Sequence, residues 1–327
     1  MTAELAEGAP AARDAFHPAA WLRGPHGQTI LPSLLPALDP GGEPLDVPVG
    51  PGTIVRVVVS RPDGRPRGTL VLVHGLAGSA SSPYMRRTAR QALARGWAVA
   101  RVNLRNCGGT EALSRTLYNA GQSADAAAVL EALAPAGLPR PFALAGFSLG
   151  GNLVLRYAGI AGDASSADAV AGVNPPVDLA ACLTALERPG NALYQEYFTL
   201  LLCAQVRRIR RVRHVPGPPA LPWAVRGVRR FDDLFTAPDA GYAGSADYYA
   251  DASAGPRLQA VRRPALVLSA SDDPFVPVGM FRRFREDASR VRFVHPIAGG
   301  HVGYWHAREP RYWAARALLD FFEEALG

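Results

Sequence analysis

The chain has 327 residues, 48% hydrophobic and 19% charged, which excludes a disordered chain and suits one large α/β domain or two small ones. Its formal charge of +7 and pI near 9.7 raise nucleic acid or an anionic membrane as partners. That signal is discounted, because every basic residue is arginine and none is lysine, so the balance reflects composition more than recognition.

Three cysteines (Cys107, Cys182, Cys203) in no C-x-x-C spacing argue against a disulfide framework or a zinc site. The N-terminus lacks a basic start followed by an apolar run, and no apolar run approaches the roughly 18 residues of a spanning helix. The default expectation is a soluble cytoplasmic protein.

Residues 1–15 read as a loose tail. Phe16 to Leu38 is aromatic and punctuated by proline, and is expected to pack over the main domain as a helix and turn anchored by Trp21. A turn-rich DPGGEP follows, then the β-branched strand Thr53–Ser60. Thr69–His74 is the next buried strand and runs into Gly75-Leu76-Ala77-Gly78. Helical spacing over Pro83–Arg95 is closed by Gly96. Trp97–Leu104 is a further strand, and Ala124–Leu133 an alanine-rich helix. Phe142–Ala145 leads into Gly146-Phe147-Ser148-Leu149-Gly150-Gly151, with a helical pattern beyond, and Ala169–Asn174 is another strand ending at two prolines.

Strands alternating with helices at this spacing predict a mostly parallel sheet covered on both faces. From Val177 to Arg263 the rhythm breaks into a helical stretch (Leu193–Val212), an arginine cluster, a proline-rich loop and a tyrosine-rich portion (Tyr242, Tyr248, Tyr249). This reads as an insertion over the C-terminal sheet edge, where open α/β sheets place their sites. The rhythm returns with the strand Ala265–Ser269, a helix over Phe281–Asp287, the strand Val291–His295 and a closing amphipathic helix, Arg311–Leu326.

The stretch Gly146 to Gly150 is G-x-S-x-G between a buried strand and a helix. Glycine two before and two after the serine removes atoms that so sharp a turn would drive into backbone. Ser148 is thereby lifted above the sheet edge at a helix N-terminus, which favours negative charge. The bland alternative is a glycine-rich loop with an incidental serine. A serine hydroxyl needs a base, and that base an acid to hold it. His301, in the glycine turn after the strand Val291–His295, supplies the base. His295 and His306 are weaker rivals, and His74 reads as structural.

Asp272 and Asp273 both follow the strand Ala265–Ser269. Asp273 is favoured because D-x-x-V-P places its carboxylate just past the strand end, leaving Asp272 to cap the turn. Oxyanion donors are expected from the backbone N–H groups of Leu76 and Leu149. The tract Arg207 to Arg213 is read first as a solvated helix face. The sharper reading is a basic lid helix on an anionic membrane or a product carboxylate; nucleic acid comes last, since no nucleic-acid motif accompanies it.

These residues together resemble the α/β-hydrolases of the YheT-like group. The motifs are FHPAAWL (Phe16–Leu22) with QTILP (Gln28–Pro32), HGLAGSASSPYM (His74–Met85), NLRNCGGTE (Asn103–Glu111), TLYNAG (Thr116–Gly121) and GFSLGGN. FDDLFTAPDAGYAGSADYYADAS (Phe231–Ser253), SDDPFVP and GGHVGY complete the set. One departure is Asn106, where the broader family often has glycine after the arginine.

The resemblance implies a single α/β-hydrolase domain over 1–327, with an N-terminal extension 1–45 and a lid insertion at about 177–263. It implies carboxylic ester hydrolysis on short- to medium-chain acyl or acylglycerol-like substrates through Ser148, Asp273 and His301, with no metal or organic cofactor. Acyl transfer to an alcohol on the same site is the alternative enzyme reading, and a hydrolase fold that binds a small ligand without turnover is the non-enzyme one. The acyl pocket is expected from tyrosines and leucines of the insertion.

Overall fold

A computed structural model describes residues 15–327. Eight strands form one sheet: β1 (Glu43–Gly50), β2 (Thr53–Ser60), β3 (Thr69–Val73), β4 (Ala98–Val102), β5 (Phe142–Phe147), β6 (Ala169–Val173), β7 (Ala265–Leu268) and β8 (Val291–Val294). Their order across the sheet is β1-β2-β4-β3-β5-β6-β7-β8. β1 and β2 run antiparallel at one edge, and from β4 onward every pairing is parallel.

β1 is absent from the sequence reading for a physical reason. Pro44 and Pro48 interrupt its donors, which only an edge strand tolerates, and β1 is the edge.

The central strands alternate by the two-residue period of a pleated chain. Leu70 and Leu72 of β3 face one side, where α2 (Pro83–Ala94) and the closing helix Trp313–Leu326 bury Met85, Trp97, Trp313 and Phe322. Val71 and Val73 face the other, against α3 (Ser123–Leu133), α4 (Leu149–Ala161) and much of the segment between β6 and β7. Strands buried on both faces explain the unbroken apolar runs. That segment contributes α5 (Leu179–Leu186), α6 (Ala192–Ile209) and, after several short turns, α7 (Ser245–Ala252). Only Arg282–Arg285 is α-helical in the stretch where a helix from Phe281 to Asp287 is expected. None of the described helices is long and apolar enough to cross a membrane.

Ahead of the sheet, α1 (Pro25–Leu34) lies against the loop after β8. Trp21 does not anchor it, being 63% exposed. The fully buried Gln28 does. Its amide donates to the Leu22 carbonyl at 2.7 Å and the Trp305 carbonyl at 3.1 Å, and its carbonyl accepts the Trp305 N–H at 2.7 Å. A polar residue fully satisfied in this way fixes orientation as well as position.

Register decides what meets what. Val73 pairs with Gly146, Phe147 with Val173, and Val173 with Leu268, which pairs with Val294. The C-terminal ends of five parallel strands therefore come level, and their following loops share one edge of the sheet.

Candidate active site

Ser148 sits between β5 and α4 with φ 51° and ψ −122°. A side-chain-bearing residue rarely adopts that left-handed backbone, which persists only where its surroundings over-determine it. They do so here. A Cβ on Gly146 would overlap the Gly150 carbonyl, and one on Gly150 would overlap the carbonyls of Val73 and His74. The Ser148 N–H donates to the Val173 carbonyl at 2.8 Å, so the neighbouring strand clamps the turn.

The Ser148 Oγ lies 2.9 Å from His301 Nε2, and His301 Nδ1 lies 2.8 Å from Asp273 Oδ2. With the proton on Nδ1, the imidazole donates to the carboxylate and accepts from the hydroxyl, the tautomer a general base requires. The Asp273 side chain is wholly buried. Its Oδ1 accepts the Phe275 and Val276 N–H groups at 2.8 and 3.0 Å, and its Oδ2 also accepts from Asn174 Nδ2 at 2.5 Å. With His301 Nδ1, four donors converge on this one carboxylate and fix its orientation. The adjacent Asp272 points elsewhere: its Oδ1 accepts the Gly300 N–H at 2.8 Å, bracing the histidine loop. Burial pushes the Asp272 carboxyl above its usual range.

Three residues of this arrangement escape motif reading. Asn174, at the end of β6 with φ 47°, donates to both Asp273 Oδ2 and the Gly300 carbonyl, and accepts the Val302 N–H at 3.3 Å. It staples the acid loop to the base loop. Thr29 of α1 accepts the His301 N–H at 2.9 Å while its hydroxyl donates to the Pro25 carbonyl at 2.7 Å. Phe275 lies against the imidazole, with ring centroids 4.7 Å apart. The one visible signal for Asn174 is an asparagine at a strand end before two prolines; for Thr29 there is none beyond the QTILP motif.

Two tyrosines shape the loop after β3. The Gly75 N–H donates to Tyr84 Oη at 2.9 Å and the Ala77 N–H to Tyr118 Oη at 2.8 Å. The Leu76 N–H between them has no protein acceptor among the described residues. Leu149 heads α4, so its N–H has no carbonyl one turn back within the helix. Neither N–H has a protein acceptor among the described residues. His74, fully buried, donates from Nδ1 to the Gly75 carbonyl at 2.8 Å and accepts the Leu104 N–H at Nε2, 3.1 Å away. Burial pulls its pKa down to about 4, so it stays neutral near pH 7 and serves structure. His295 bonds the Ser269 carbonyl and His306 accepts the His17 N–H; neither is bonded to the serine.

A cavity of about 430 Å³ opens above Ser148. Its walls are Thr29, Ile30 and Leu34 of α1, the Gly75–Gly78 loop, Phe275, and Leu193, Tyr194, Tyr197, Phe198 and Leu201 of α6. The tyrosines 242, 248 and 249 are not in this wall. Tyr248 and Tyr249 are buried with Asp232 around a second cavity of about 60 Å³, and the expected tyrosines and leucines of the insertion enter the wall as Tyr194, Tyr197, Leu193 and Leu201. The segment's contribution comes from α6. Tyr194 stands edge-on to Phe275, and its hydroxyl meets His26 Nδ1 at 2.9 Å, bridging α6 to α1. Arg87 is the single arginine in the wall, and its guanidinium donates to the carbonyls of Pro32 and Leu35. The lining therefore suits a neutral, apolar ligand. Among the described residues, no group of three or more His, Cys, Asp or Glu is placed to hold a metal ion.

Asn106 has φ 60°, and its amide donates to the Glu111 and Ser114 carbonyls. Asparagine is among the few non-glycine residues that tolerate this conformation, so the departure from glycine keeps the backbone and adds a brace.

A family model described as alpha/beta hydrolase fold matches residues 68–307. YheT of Escherichia coli (strain K12), whose name places it among esterases, is 31% identical over 305 residues, covering 90% of this chain and 89% of that protein. Mouse phospholipase ABHD3 is 28% identical over 322 residues, covering 94% and 77%. Among solved structures, Est1E from Butyrivibrio proteoclasticus superposes with TM-score 0.55 at 15% identity, over 87% of this chain and 99% of its own.

Proposed function

The chain belongs to the α/β-hydrolase family, as a carboxylic ester hydrolase of its YheT-like group, and from that premise we propose a serine mechanism run by Ser148, His301 and Asp273. Ser148 Oγ attacks the acyl carbon as its proton passes to His301 Nε2. Asp273 holds the Nδ1 proton and stabilises the imidazolium that forms. The carbonyl oxygen, now negative, accepts the N–H groups of Leu76 and Leu149, donors worth about 3 kcal/mol of barrier each. The C–O bond to the alcohol breaks as His301 returns the proton to the departing oxygen. Water then enters; His301 takes its proton, the hydroxide oxygen bonds the acyl carbon, and Ser148 leaves with that proton restored.

The observation that carries this reading is the unbroken relay of 2.9 and 2.8 Å from hydroxyl to imidazole to buried carboxylate. The substrate we propose is a neutral ester with a short- to medium-length acyl chain, of the acylglycerol or phospholipid kind. An apolar wall and a cavity of about 430 Å³ support it, and ABHD3 bears the name phospholipase. One domain, with the segment from 177 to 263 as its lid, is the organisation that fits this use.

A fluorophosphonate probe should label the native chain and leave Ser148→Ala unlabelled. No labelling of folded native protein would leave a ligand-binding fold without turnover. A p-nitrophenyl ester series from acetate to palmitate reads the acyl length, with kcat/KM expected to peak in the medium range. Adding ethanol and analysing products separates hydrolysis from acyl transfer: ester product would show the alcohol competing with water for the acyl group.

A further inference from the structure

On α6, Leu193, Tyr197, Leu200 and Ala204 recur at the spacing that keeps side chains on one helix face, and Arg207 continues the row. A helix face turned to water normally carries polar residues. This one does not, since Leu193 is 84% exposed, Tyr197 56% and Leu200 50%. Facing it across the cavity mouth, Leu34 of α1 is 72% exposed. Scattered apolar residues on a surface need no explanation. These are not scattered, because Leu34, Leu193 and Tyr197 also line the cavity above Ser148. They form its rim.

The arginine tract gives the rim a charged end. Arg208 pairs with Glu111, Arg210 donates to the carbonyls of Val215 to Pro218 and lies over Phe235, and Arg213 bonds the His214 carbonyl. Arg207 and Arg211 are exposed. Glu196, on the margin of the same face, is the acidic group that works against them.

We propose that this rim docks on an anionic lipid surface, with α6 lying along the headgroups. Its apolar half enters the acyl boundary and Arg207 and Arg211 meet lipid phosphates. The patch is continuous with the cavity mouth, so docking sets the entrance of the site directly on the layer that holds acyl esters. The inference rests on the proposed serine esterase reading and adds where its substrate resides.

The test uses the full chain carrying Ser148→Ala, so that no lipid is turned over. It is floated with vesicles of phosphatidylcholine alone or mixed equally with phosphatidylglycerol. It should rise with the mixed vesicles, far less with the neutral ones, and be released by high salt. Leu200→Glu with Arg207→Glu and Arg211→Glu should lower partitioning at least about 25-fold, at about fivefold per basic side chain lost from an anionic surface. None of these three residues lines the cavity, so the same triple variant on the native serine should hydrolyse p-nitrophenyl acetate at the native rate.

Equal partitioning of the parent and triple variant would overturn the proposal, as would failure of the parent to float. A concentration-dependent dimer that the triple change abolishes, without vesicle binding, would overturn it too and assign the rim to a second copy of the chain. Flotation needs no catalysis, so a chain that floats but never cleaves a soluble ester would count against the esterase mechanism alone.

Discussion

Ser148 and His301 meet at 2.9 Å, yet the turns that bring them there are held in opposite ways. The serine turn is nearly self-contained: a strand, two glycines with no room for a Cβ, a helix, and one carbonyl from the next strand. The histidine loop has little internal stiffness. Gly300 has φ 59°, Val302 63° and Tyr304 43°, and a β-branched residue such as Val302 does not hold that conformation unaided. The loop is shaped from outside, by Thr29 and Gln28 of α1, Asn174 just after β6 and Asp272 in the loop after β7. Damage to the nucleophile should therefore be local in sequence, and damage to the base scattered along the whole chain.

The largest effect should come from the serine turn. Gly150→Ala places a methyl group into two backbone carbonyls that cannot move without breaking β3, so a loss of stability above about 4 kcal/mol is expected in urea unfolding. A variant within about 1 kcal/mol of native would show that this turn is less closed than its geometry implies.

Next come the two aspartates. Asp273→Asn presents the wrong partner to His301 Nδ1–H and should cut kcat by about 10⁴-fold. Asp272→Asn retains an oxygen for the Gly300 N–H and should cost less than about tenfold. The reverse ranking would reassign the acid.

Thr29→Val removes the acceptor of the His301 N–H, which should lower kcat by about five- to tenfold, with Thr29→Ser restoring it. If the serine variant does not rescue, the loop is held by packing of α1 and not by that bond.

The last comparison is of stability with pH, at a buried carboxyl whose cavity also borders Leu76 and Leu149. Burial raises the Asp232 carboxyl from 3.8 to about 6, while its oxygen accepts the Tyr249 hydroxyl. The folded state then binds more protons than the unfolded one between those values, so stability falls as pH rises from about 4 to 6. His74 acts with the opposite sign: lowered from 6.5 to about 4, it makes stability rise over nearly the same window. The two nearly cancel, at about 3 kcal/mol each. Asp232→Asn should remove its share, so that between pH 4 and 6 stability gains about 3 kcal/mol relative to the native profile. An unchanged profile would mean Asp232 is not the counterweight.

The same contrast explains what could be read from the chain beforehand. Ser148, its glycines and the strands around them are legible because the residue types that the turn demands all lie within a few positions of the serine, although the Val173 carbonyl also clamps it. Asp273 is legible by its distance past a strand. Thr29 and Gln28 are not, because their partners lie more than 270 residues away in sequence. Trp21 misled for a related reason: size and apolarity predict an anchor, whereas the N-terminal segment is pinned by a buried amide that hydrophobicity alone would place outside. Which of the insertion's tyrosines reach the pocket is not legible, because composition says nothing about which cavity a side chain faces: Tyr194 and Tyr197 do, Tyr248 and Tyr249 do not.

The bond from Thr29 to the backbone of His301 ties the first helix of the enzyme to its last working loop. The imidazole that faces Ser148 is therefore seated only once segments 272 residues apart have packed together.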